Sequence, residues 1–162
     1  MTIDIQNDRA FAIREERLRD AAQAVLHLHQ EADASLTIVI TDNESVKELN
    51  RQYRGIDAPT DVLSFPSDLP PEAEETYLGD LIIAYPYARA QAEGEGHPLD
   101  DSLSLLVVHG TLHLLGYDHD TMENRTEMWS RQAEALQSLG ISTTIVPALE
   151  AASHDEDEEE KG

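Results

Sequence analysis

Residues 102–120 read SLSLLVVHGTLHLLGYDHD. From Ser102 to Leu115 the stretch is strongly apolar and has helical length, too apolar for a surface helix, which needs a polar face for water. It therefore belongs to the interior of a packed domain. Gly116 supplies the left-handed conformation that stops such a helix and turns the chain. Downstream, Thr121 to Leu139 reads as an amphipathic helix, with Met122, Met128, Trp129, Ala133 and Leu136 as its inward candidates. After Gly140 a short apolar segment leads into an acidic tail, residues 150–162, whose composition predicts disorder.

Upstream, strands and helices alternate. Ile3 and Ile5 alternate with polar neighbours over Thr2 to Gln6, the pattern of a short strand. Leu18, Ala21, Ala22, Val25 and Leu28 recur at helical spacing within Arg14 to Glu31. SLTIVIT (Ser35–Thr41) is β-branched and apolar, a strand. Asp42 or Asn43 caps the next helix, which runs through Val46 and Leu49 to Tyr53 and stops at Gly55. Pro59 precedes a strand at Asp61–Phe65. Residues 66–76 carry three prolines and several acids, an exposed loop. Tyr77–Tyr85 is a further strand, and Pro86 fits the first turn of a helix ending near Gly94–Gly96. The predicted fold is α+β: residues 1–149 as one domain, a mixed sheet of about four strands packed with about five helices.

Composition narrows the chemistry. The chain has 162 residues, enough for one domain with its own core, and no cysteine. Disulfides and thiolate-rich structural zinc sites are excluded, so any metal is held by His, Asp or Glu. The N-terminus lacks the basic and apolar segments of a secretory signal, and no apolar stretch has membrane-spanning length; the expected location is the cytoplasm. The formal net charge is −22, and the tail, with seven acids and one lysine, leaves the body near −16. Such a surface repels nucleic acid at long range. An RNA partner would need a local positive feature, and DNA is not expected.

Within HGTLHLLGYDHD (residues 109–120), His109 and His113 are four apart on the helix, one turn apart on one face. His119 follows the glycine turn within reach of the same point. Three neutral imidazoles suit one zinc ion, although nickel or another divalent ion fits the same donors. They leave a fourth tetrahedral position open, the signature of a catalytic site, and leave the ion's charge uncompensated, which attracts anions. His27, His29, His97 and His154 read as ordinary surface residues. The ligand spacing also matches the metzincin proteases, which place a glutamate base directly after the first histidine. Here that position is Gly110, and peptide hydrolysis becomes the second reading.

Read together, HGTLHLLGYDHD, LNRQYRGIDAPTDVLSFP (Leu49–Pro66) and YLGDLIIA (Tyr77–Ala84) resemble the YbeY family, in the family's order and over roughly residues 35 to 140. The resemblance implies a zinc-dependent, single-strand-specific endoribonuclease that matures the 3′ end of 16S rRNA and acts in ribosome quality control. It implies His109, His113 and His119 as zinc ligands and Arg54 as the functional arginine. Read alone, Arg54 is a solvated arginine at a helix C-terminus, where the dipole favours it. Within the resemblance it is a phosphate-positioning group, because its planar fork matches two oxygens. Asp61, Asp80 and Asp120 are each candidates to orient a zinc histidine, or else to hydrogen-bond at a strand end or turn. The same two readings hold for Asp118. No residue stands out as a general base. A third reading is a ribosome-assembly factor whose metal is structural, its acidic surface docking on basic ribosomal proteins.

Overall fold

The order of elements follows the hydrophobic patterning closely. In the computed structural model, which describes residues 3–31, 33–67 and 76–143, the chain forms β1 (Ile3–Gln6), α1 (Glu15–Leu28), β2 (Ser35–Thr41), α2 (Asn43–Arg54), β3 (Val62–Pro66) and β4 (Tyr77–Ala84). Three helices follow: α3 (Tyr85–Glu95), α4 (Leu99–Leu114) and α5 (Met122–Ser138). Most of the predicted proline-rich loop and the whole acidic tail lie outside the described residues.

Local chemistry sets the boundaries. Asp42 caps α2 by accepting from the Ser45 amide at 2.7 Å, and Gly55 closes it. Thr121 caps α5 through the Asn124 amide at 3.1 Å. Helix α4 begins at Leu99, three residues before the apolar run. Pro98 precedes it and Asp100 and Asp101 occupy its first turn, where the helix dipole favours acids. Asp101 also meets Arg17 of α1 at 2.7 Å.

The sheet order is β1-β2-β4-β3, with the first three strands parallel and β3 antiparallel at the edge beside β4. Alternation sends side chains to two faces. One face presents Leu36, Ile38, Ile40, Leu81 and Ile83 to a core shared with α1, α4 and α5. The other presents Leu63, Ile82 and Ala84 to Val46 of α2, with Val39, Leu49 and Phe65 packed alongside. Every residue of α4 from Leu103 to Leu112 is buried, as its composition requires.

Helix α5 departs from the expected pattern at Met122, which is 83% exposed. The buried stripe is Met128, Gln132, Ala135 and Leu136. Met122, six residues before Met128, is rotated about 120° from it and opens the helix beyond the core. Trp129 and Ala133 are half-buried. Among the described residues no helix is long and apolar enough to cross a membrane.

Candidate metal centre

Helix α4 runs over β3 and β4 so closely that one position has no room for a side chain. A Cβ on Gly110 would lie 2.7 Å from Leu81 Cδ2 and 3.3 Å from Ser64 Oγ. Position 110 therefore faces the sheet. His109 and His113, one turn apart, share another side of the helix. Gly116 (φ 103°) then turns the chain back so that His119 joins them. The three imidazoles offer nitrogen atoms that all lie within 4.8 Å of one another.

The first two imidazoles are oriented by their remote nitrogens. His109 is fully buried, and its Nδ1 lies 3.1 Å from Gln132 Oε1 on α5. Because that oxygen only accepts, Nδ1 carries the proton and the lone pair stays on Nε2. His113 Nδ1 likewise donates to the Tyr117 carbonyl at 2.9 Å. The two Nε2 atoms then stand 3.1 Å apart. Two nitrogens bound tetrahedrally to one zinc at ordinary bond lengths are about 3.3 Å apart. The donor set and its spacing thus fit a single ion, and these three residues could hold a metal.

Burial keeps the pair neutral and ready to ligate. Desolvation pushes His109 down to about 4, against smaller opposing effects of the Gln132 hydrogen bond, Asp61 and Asp118. His113 is pushed down to about 3, by desolvation first and then by His109 and His119. His119 is half-buried, with its ring 5.9 Å from that of Trp129 and its own amide donating to Asp118 at 2.8 Å. Arg125 reaches the His119 carbonyl at 3.5 Å, tying the turn that carries His119 to α5.

The structure separates the candidate acids. Asp61 is buried at the start of β3, accepts from the Val62 amide at 2.8 Å, and is close enough to act electrostatically on His109. Asp120 is exposed and takes the Asn124 side-chain amide at 2.8 Å, bracing the turn that carries His119. Asp80 lies elsewhere: alternation along β4 places it on the sheet face opposite α4, where Tyr77 donates to it. Arg54 stands exposed at the end of α2, 3.4 Å from Asn50 Oδ1.

Two orienting groups escaped the sequence reading. Gln132 left a signal, a polar residue on the apolar stripe of α5. The Tyr117 carbonyl left none, because backbone carries no sequence mark. His29 also differs from its expected surface role. Its Nε2 meets the Tyr117 hydroxyl at 3.0 Å and its Nδ1 meets the Val25 carbonyl at 2.8 Å, so α1 braces the residue that orients His113.

Residues 2–140 match the sequence model of a family described as "Endoribonuclease YbeY". This chain belongs to that family. The endoribonuclease YbeY of Moorella thermoacetica is 44% identical over 156 residues, covering 87% of this chain and 99% of the relative. That of Shouchella clausii is 40% identical over 154 residues, covering 86% and 96%. The fold also resembles the solution structure of TM1509 from Thermotoga maritima, with a TM-score of 0.56 at 24% identity over 85% of this chain and 91% of that one. The three family blocks now have places in the fold: the end of α2 through β3, strand β4, and the histidine-bearing helix and turn.

Proposed function

We propose that this chain is a zinc-dependent endoribonuclease that cuts single-stranded RNA, acting on the 3′ end of 16S rRNA in the cytoplasm. The observation that carries the reading is the open three-imidazole cluster in a chain whose relatives are named endoribonucleases. When bound there, zinc supplies a Lewis acid for a phosphoryl oxygen and lowers the pKa of water.

The chain's own residues set up that chemistry. Gln132 and the Tyr117 carbonyl fix the tautomers of His109 and His113. Trp129, edge-on to His109 and His119, covers one side of the cluster. Arg54 is assigned to hold a phosphate, through two parallel hydrogen bonds from a guanidinium free to turn outward. In a body this acidic, such a cation matters for anchoring RNA. The acidic surface suits docking on basic ribosomal proteins, which compensates for weak long-range attraction to rRNA.

Protease chemistry is disfavoured by packing as well as by composition. A side chain at position 110 would press on Leu81 from its Cβ onward, so this helix has no room for a glutamate there. The test replaces His113 with alanine. Zinc content and cleavage of single-stranded RNA should both vanish while far-UV circular dichroism persists. Full nuclease activity in a verified metal-free preparation of that variant refutes the proposal.

A further inference from the structure

The sheet face turned away from α4 carries a cavity of about 750 Å3 that the metal chemistry does not use. Its walls include three aromatic residues, Tyr53, Phe65 and Tyr77, with Leu49 and the Asp80 carboxylate among them. We propose that this cavity is a nucleobase subsite, taking one unstacked base of the RNA against Tyr53 with Asp80 as its polar reader. The proposal rests on the endoribonuclease reading and names how that substrate is gripped.

Tyr53 is the first observation. It is 67% exposed, one of three large apolar side chains standing in solvent among the described residues. Its ring is steadied edge-on by Phe65, with centroids 5.1 Å apart and planes at 65°. A held aromatic ring with an open surface is what base stacking needs, and stacking tolerates any base.

Asp80 is the second. It sits on an interior strand, where a carboxylate is costly unless bonded. The Tyr77 hydroxyl donates to it, and the Thr37 hydroxyl in turn donates to Tyr77 at 2.6 Å. Tyr77 keeps its proton for that bond, since burial and then the bond itself push its phenol up. A carboxylate has about four acceptor positions, so capacity remains for a ligand. An acceptor-only group favours a base edge that offers an amino donor, as in cytosine or guanine, over uracil, whose one edge N–H lies between two carbonyls.

Position is the third. Strand β3 is the edge of the sheet, and its consecutive residues face opposite ways. Ser64 Oγ lies 3.4 Å from the carbonyl of Gly110, the residue after His109, while Phe65 lines the cavity. The cavity and the imidazoles therefore flank one edge strand, and a single polymer crossing that edge can occupy both. Arg54 directly follows Tyr53 on α2, which puts a phosphate partner next to a base partner. The cavity size lies in the range of small-ligand sites, about 300 to 1,000 Å3.

The experiment uses the full zinc-loaded chain and uncleavable 2′-O-methyl hexanucleotides of cytosine and of uracil, with Kd read by fluorescence anisotropy. Wild type should prefer the cytosine oligomer. Tyr53→Ala should weaken it by about 5- to 150-fold, with zinc content and unfolding temperature kept. Tyr53→Phe should stay within about twofold, because stacking needs the ring and not the hydroxyl. Asp80→Asn should remove the preference for cytosine. Unchanged affinity in folded Tyr53→Ala, while wild type still cuts RNA, overturns the subsite and leaves the nuclease reading standing. A wild type that neither binds nor cuts RNA ends both. A Tyr53→Ala protein that keeps RNA affinity but loses retention on ribosomal particles assigns the cavity to a protein ligand and overturns the proposal.

Discussion

Replacing Gly110 with alanine should destabilise the protein, although alanine is the better helix former by about 1 kcal/mol. The added Cβ would stand 2.7 Å from Leu81 Cδ2 and 3.2 Å from Leu81 Cδ1, inside normal contact distance. Leu81 is fully buried, so its side chain can turn only against packed neighbours. Relief therefore requires Leu81 to turn off its present rotamer or α4 to lift from the sheet, and overpacking of this kind costs about 1–3 kcal/mol. The net expectation is a loss of about 1 kcal/mol, or about 2–4 °C in Tm for a chain of this size. Urea unfolding of wild type and Gly110→Ala at equal zinc loading measures it. Adding Leu81→Val makes room, so the double variant should lose less than the sum of the two single losses. Gly110→Glu should unfold and gain no peptidase activity. If Gly110→Ala is instead more stable by about 1 kcal/mol, propensity has won and the close approach of α4 to Leu81 is not what position 110 demands.

Gln132→Leu keeps the volume on α5 but leaves His109 Nδ1 without its acceptor; metal affinity, read by competition with a chelator, should fall about 10- to 100-fold, and unchanged affinity would remove Gln132 from the site. The metal-free protein should lose stability in acid. His109 and His113 take up protons near 6.5 when unfolded but only near 4 and 3 when folded, so the unfolded state binds more protons across that interval. Stability is complete above about pH 6.5 and declines as pH falls toward 4, by on the order of 3 kcal/mol from His109; a flat profile over that window contradicts the burial of the pair. Arg54→Glu should retain zinc and lose at least about tenfold in RNA turnover, since a charge-assisted phosphate contact becomes a repulsion; an unaltered rate takes Arg54 out of the mechanism.

The clustering of His109, His113 and His119 was legible because spacings of four and six around a glycine leave few geometries open. The buried helix was legible from Ser102–Leu115, whose composition permits no exposed face. The acids were harder. Alternation tells that Asp80 and Leu81 face opposite ways, but only strand order and the seat of α4 reveal which face meets the histidine-bearing helix. Gln132 and His29 were missed because each acts across long sequence separations, 23 residues to His109 and 88 to Tyr117. A polar residue on one helix carries no mark of a partner on another until the helices are packed.

The most direct test is elemental analysis of the purified protein, paired with cleavage of a single-stranded RNA before and after chelation. The expected result is one zinc per chain, with cleavage lost on chelation and restored by zinc. An active preparation containing no metal, or zinc bound stoichiometrically with no RNA cut at any loading, would contradict the catalytic three-histidine centre.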